Sequence, residues 1–327
     1  MRRFLFLITL LFNQPTAQAS LAEPITKWSK KNLSVCFGGP IEWGKSRVWD
    51  KYGLKFSETP RNDEALEFTL DEKNLIISAV NANFTHENTG IHFTGWSDCR
   101  DNETYDIYIF RIHNEKKLNG QATVGFKSES VFNLSFSHYI RNPDISRKEY
   151  VLLNTDIKDP NRKISSQESL ALTALHEFGH VAGLRHEEAR FDHAKKDPSC
   201  LKTGELAYPE AYQFMIEKEG SSSKSFSVYD PNSIMSHCFL NTLRRFTGLS
   251  FSYPQNEVSP INLQDKTLFE TQVVGNTIEA KIKINLSSLD KHSLKCLYVY
   301  GEKEFKDNCH ERFSEPDFFK LTSDHGQ

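Results

Sequence analysis

The 327-residue chain is short of the features that would place it in a class at once. After the first twenty residues no apolar run approaches the ~20 residues needed to cross a bilayer. The stretch at 75–80 covers only six positions, so no membrane span is expected. Charge of one sign is missing as well. Lys and Arg number 40 against 43 Asp and Glu, a balance that gives no support to nucleic-acid binding. No C-x-x-C pair occurs among the six cysteines, which makes a zinc–thiolate centre the weaker reading of them. Internal repeats are absent too. What remains is one large folded unit with room for a smaller second one.

The first residues read as a targeting segment rather than as structure. Arg2 and Arg3 form a basic start, residues 4–12 an apolar core, and Ala17-Gln18-Ala19 an A-x-A cleavage signal. Cleavage after Ala19 removes nineteen of the 327 residues and leaves 308, with 38 basic and 43 acidic side chains and a formal charge of −5. The mature chain is therefore expected to be exported, secreted or periplasmic. An even number of cysteines in an exported chain reads as disulfides. Proximity along the chain suggests Cys36–Cys99, Cys200–Cys238 and Cys296–Cys309.

The dozen residues 176–187, His-Glu-Phe-Gly-His-Val-Ala-Gly-Leu-Arg-His-Glu, carry the chemistry. On a helix, positions i and i+4 share a face, so His176 and His180 can present two imidazoles to one metal ion. Glu177 stands beside them, placed to take a proton from a metal-activated water. Gly183 can adopt the left-handed conformation that ends a helix and turns the chain back. His186 then arrives from the following loop as a third ligand. Three protein ligands leave a fourth position open, the pattern of one catalytic zinc ion rather than a structural one. Solvated histidines, or a purely structural zinc, would leave Glu177 and Gly183 without a reason.

Around this motif the periodicity predicts strands at 33–37, 89–93, 106–110, 120–126, 131–136 and 150–154, and a long helix over 63–84. Ser165 and Glu168 form a capping box that starts the motif-bearing helix, running from about Ser166 to Gly183. Residues 220–227 are rich in Ser and Gly and read as a flexible surface loop. After Pro254, alternating runs at 277–284 and 296–300 predict a separate β-rich module near the lower size for independent folding. Five N-x-S/T sequons (Asn32, Asn83, Asn102, Asn133, Asn285) matter only in a glycosylating pathway.

The motif H-E-x-x-H-x-x-G-x-x-H is the metzincin signature. Residues 229–237, Tyr-Asp-Pro-Asn-Ser-Ile-Met-Ser-His, resemble a metzincin Met-turn, which implies Met235 as an apolar floor beneath the metal ligands; from the sequence alone it is equally a core residue. Within the metzincins the chain most resembles the astacins, through Glu187 directly after the third histidine and the pattern of 186–192. Looser similarity lies at 89–93 and 120–125. Three positions depart from that family. Astacins carry a tyrosine two residues after the methionine, a weak zinc ligand and transition-state stabiliser, where this chain has His237. That histidine can bind zinc, donate to an oxyanion, or simply pack beside the Cys238 disulfide. The family's cysteine in the edge-strand motif is Gln121 here, so its disulfide pattern does not transfer. Only residues 20–34 precede the first strand, so no folded prodomain is expected. Glu187 is open between a role in holding a trimmed N-terminus and a surface ion pair with Arg190.

The expected fold class is α+β. A metzincin-like zincin catalytic domain spans 20–255, with a twisted mostly parallel sheet, an antiparallel edge strand, two long helices and a Met-turn. The signal peptide (1–19) precedes it and the β-rich module (256–327) follows. The resemblance implies an exported zinc endopeptidase with Glu177 as general base, and with a protein or peptide substrate lying extended along the edge strand at 120–126. The competing expectation is an exported binding or adhesion protein that retains zinc without turnover. The sequence sets no oligomeric state.

Overall fold

The computed structural model describes residues 21–22, 27–38, 67–100, 103–112, 120–122, 149–154, 164–187, 224–225, 230–244, 249–255 and 265–309. The expected signal peptide, the strand at 131–136, Tyr229, Arg190 and Cys200 lie outside them. Strand β1 (Leu21–Ala22) heads the described chain. It pairs antiparallel with residues 224–225, so part of the stretch expected as a bare loop is held by main-chain hydrogen bonds.

The main sheet has five strands: β2 (Asn32–Phe37), β3 (His92–Asp98), β4 (Ile107–Ile112), β5 (Gly120–Ala122) and β6 (Glu149–Asn154). Their spatial order is β3-β2-β4-β6-β5. β2 is parallel to β3 and β4, and β4 to β6, while β5 closes the edge antiparallel to β6. Strands of a parallel sheet covered on both faces read as nearly continuous apolar runs. Accordingly Leu33, Val35, Cys36 and Phe37 of β2, and Ile107, Tyr108 and Ile109 of β4, are all buried. The Cys36–Cys99 disulfide ties β2 to the end of β3. The strand expected from Thr89 begins three residues later, because Thr89 and Gly90 donate back to the Thr85 carbonyl in a turn.

Helix α1 (Leu70–Asn83) connects β2 and β3, and helix α2 (Ser166–Val181) packs against α1, β5 and β6. α1 starts later than the periodicity suggested, at a capping box formed by Thr69 and Glu72. The expected Ser165–Glu168 box is present at the head of α2. Every residue of α2 from Ser169 to Val181 is buried, which marks a helix inside the core rather than on its surface. Phe178 fixes it to the sheet through an edge-to-face contact with Phe93, ring centroids 4.7 Å apart, and Phe93 in turn meets Phe84 at the end of α1.

Beyond the site segment, α3 (His237–Arg244) leads to a three-stranded antiparallel sheet of β8 (Ser250–Pro254), β9 (Phe269–Val274) and β10 (Thr277–Ile282), β7 being the pair at Lys224–Ser225. The expected β-rich module is corrected here. Residues 296–300, read as a strand, fall in helix α4 (Ser288–Tyr298) and the turn after it, with α5 (Glu302–Asn308) following. Ser287 and Asp290 form a capping box that the alternating apolar pattern concealed. The expected boundary at 255/256 falls between β8 and β10, which are hydrogen-bonded partners. Leu286, Leu294, Leu297 and Tyr298 belong to the same buried cluster as Leu175 and Phe178 of α2. Asn83 is part of that seam. Its buried amide donates to Ala79 and Ile284 carbonyls and accepts from the Leu286 N–H, which leaves that sequon no room for a glycan. Cys296–Cys309 is formed as expected. Cys238 is disulfide-bonded as well, its expected partner Cys200 lying outside the described residues.

Candidate metal centre

Five polar side chains from three segments meet at the C-terminal half of α2. His176, Glu177 and His180 come from the helix itself, His186 from the turn after it, and His237 from the first position of α3. The ligand atoms of His176, Glu177 and His180 lie within 4.8 Å of one another, as do those of His176, His186 and His237. Ring centroids of His180 and His186 are 4.4 Å apart, and those of His186 and His237 4.3 Å. The turn that delivers His186 is made at Gly183, whose φ of +99° is the left-handed conformation foreseen for it.

Backbone carbonyls orient the two helix histidines. Nδ1 of His176 lies 2.8 Å from the Ile234 carbonyl oxygen, and Nδ1 of His180 2.9 Å from that of Leu184. A carbonyl can only accept, so each Nδ1 carries its hydrogen and each Nε2 presents a lone pair to the cluster. Nε2 of His180 is 3.0 Å from Nε2 of His186. Two nitrogens on one tetrahedral zinc, at about 2.05 Å each, stand about 3.3 Å apart. Burial, then the neighbouring His180, His186 and His237, hold the His176 pKa well below its ordinary value. A buried group of crowded imidazoles disfavours protonation and favours a divalent cation in its place. The donor set fits zinc.

Met235, which the resemblance implies as a floor beneath the metal ligands, is fully buried, and its carbonyl accepts the Glu187 N–H. Its position depends on Gly179, a residue the sequence reading passed over. A β-carbon on Gly179 would stand 2.5 Å from the Met235 sulfur, so the close approach requires glycine. The only hint in the sequence was a glycine inside an otherwise strong helix, which more often marks packing than weakness. The turn 230–236 is tied internally, with Ser233 N–H on the Asp230 carbonyl and Ser236 N–H on that of Ser233.

Glu187 is fully buried rather than at the surface, and Arg190 lies outside the described residues. Its N–H donates to the Met235 carbonyl and its carboxylate accepts the Asp230 N–H, which clips the third-histidine turn to the methionine turn. The second carboxylate there, Asp230, has its pKa raised by burial and then by the charge of Asp290.

No family model matches the sequence, and no curated protein matches it. Among solved structures, that of myroilysin aligns over 86% of this chain and 99% of its own, with 13% identity and a TM-score of 0.41.

Proposed function

We propose that the chain is an exported zinc-dependent endopeptidase of metzincin type. The observation that supports it most is the convergence of His176, His180 and His186 with the buried Glu177, in a cluster whose helix histidines both turn Nε2 inward. The parallel sheet with an antiparallel edge, the two long helices and the methionine turn agree with that reading. Export is supported by the two described disulfides, which belong to oxidising compartments. Among the described residues no helix is long and apolar enough to cross a membrane.

His176, His180 and His186 would hold the ion. Bound there, zinc would supply Lewis acidity and a water of lowered pKa. Glu177 is not needed as a ligand. Its buried carboxylate takes the proton from the attacking water and passes it to the leaving amine. Burial of the site excludes bulk water and strengthens both interactions. An extended peptide would add to the edge of β5 that has no partner strand among the described residues, pairing with residues 120–122 and carrying its scissile bond toward α2. Glu177→Ala tests the assignment: the full-length mature protein should keep its zinc and lose cleavage of unfolded protein, whereas His180→Ala should weaken both. Undiminished cleavage by the Glu177→Ala protein would refute it.

A second reading rests on His237. Its ring stacks on His186 with an interplanar angle of 29° and shares the cluster with His176. Four imidazoles can close a tetrahedral site, which would leave a zinc-retaining binding protein without turnover. A casein digest with and without chelator separates the two.

A further inference from the structure

The C-terminal helix α4 reaches the candidate metal centre through one side chain. Asp290, the third residue of α4, is fully buried. Its Oδ1 accepts the Ser233 hydroxyl at 2.7 Å and its Oδ2 the Ile234 N–H at 3.2 Å. The carbonyl of that same Ile234 accepts Nδ1–H of His176. The Ser233 hydroxyl also accepts the Met235 N–H, at 3.0 Å. One carboxylate thus grips the main chain on both sides of the residue that sets the tautomer and rotation of a metal-facing imidazole.

We propose that Asp290 is a positioning residue for the metal centre: it fixes the 233–235 backbone so that the Ile234 carbonyl holds the His176 ring with Nε2 toward the cation. The proposal rests on the metal reading of the histidine cluster. Its physical basis is directional. A backbone carbonyl orients an imidazole only if the peptide is itself immobile, and this peptide lies in a turn rather than in a helix or strand. Beyond the turn's own bonds, the Met235 N–H of this peptide donates to the Ser233 hydroxyl, which donates in turn to Asp290, and the preceding N–H, that of Ile234, donates to Asp290 directly. His180 has no such need, because its acceptor, Leu184, is only four residues along and follows directly from the end of α2. The two histidines therefore differ in what holds them, and this difference makes the idea testable.

Asp290→Ala and Asp290→Asn are compared with wild type as full-length mature protein, reading zinc affinity by competition with a chromophoric chelator. The imidazole N–H resonances of the zinc-loaded proteins are read alongside. The alanine variant should bind zinc about tenfold more weakly, at the lower end of the range for outer partners of metal ligands. Its His176 Nδ1–H signal should shift while that of His180 stays in place. The asparagine variant keeps an oxygen on the Ile234 N–H and should restore both readouts to within about threefold of wild type. A folded alanine variant with wild-type affinity and an unmoved His176 signal would overturn the proposal, as would an asparagine variant no better than alanine. If the alanine variant is unfolded without metal, zinc decides. The variant's stability is then followed against zinc concentration: a gain that follows RT ln(1 + [Zn]/Kd) with the wild-type Kd would overturn the proposal, and one that requires a Kd about tenfold higher supports it. Wild-type protein that holds no zinc would instead sink the metal reading itself.

Discussion

Replacing Gly179 by alanine sets two effects of known sign against each other. In a helix interior alanine is favoured over glycine by about 1 kcal/mol, and that gain needs no neighbour. Against it, the new methyl would stand 2.5 Å from the Met235 sulfur and 3.4 Å from its terminal carbon, in a place where Met235 has no exposed surface to move into. Overpacking of a filled core costs about 1–3 kcal/mol, so the net expectation is a loss of about 0–2 kcal/mol. A small net effect is weak evidence, and the decisive measurement is the double-mutant cycle with Met235→Ala. Alone, Met235→Ala should cost about 2–5 kcal/mol through lost burial and the cavity left behind. With the sulfur gone, the alanine at 179 enters vacated space and only its helix gain remains. The two substitutions should therefore couple favourably by about 1–3 kcal/mol. Urea unfolding of the four proteins, chelated and zinc-loaded, measures this. Additivity within about 0.5 kcal/mol, or Gly179→Ala alone stabilising by the full helix gain, would refute the close packing of the methionine against the helix.

Three further predictions follow from the same contacts. His237→Phe keeps a ring at the head of α3 but no nitrogen; if His237 stabilises the oxyanion, kcat should fall about 100- to 1,000-fold with little change in KM, and a change below about threefold would assign it to packing. The raised pKa of Asp230 makes its ionisation oppose folding. Its contribution is fully present below the unfolded value near 3.9 and is lost as pH rises through the higher folded value, so the chelated protein should lose stability over that interval. Asp230→Asn should flatten that slope in urea titrations at successive pH values, and an unchanged slope would assign the effect to other groups. Chain termination after Gln255 would strip β8 of β10 and remove Asp290 and Tyr298, whose hydroxyl donates to the Ala182 carbonyl at the end of α2. The truncated protein should be insoluble or unable to hold zinc; a soluble, zinc-binding product would show that 20–255 folds alone.

What could be read from the sequence was set by short-range geometry. The i, i+4 spacing of His176 and His180, the Ser165–Glu168 box and the turn at Gly183 depend on residues within one or two helical turns, and all three stand where they were expected. Several strands of the sheet showed through their apolar runs, whereas its mostly parallel order with an antiparallel edge was implied by the metzincin resemblance. Cys36–Cys99 and Cys296–Cys309 could be paired by proximity. Other features needed the tertiary structure. α4 was mistaken for a strand because Cys-Leu-Tyr-Val-Tyr suits either state in isolation; burial of Leu294, Leu297 and Tyr298 against the core selects the helix. The reason for Gly179 lies 56 residues away in Met235. For Glu187 the sequence left a trimmed N-terminus and a surface ion pair open; its burial, with the Asp230 N–H on its carboxylate, depends on the methionine turn folding over it. The partner of the His176 Nδ1 is a main-chain carbonyl 58 residues on. Every residue carries such a carbonyl, so no side-chain pattern marks the one that will be used, and its choice waits on how the chain packs.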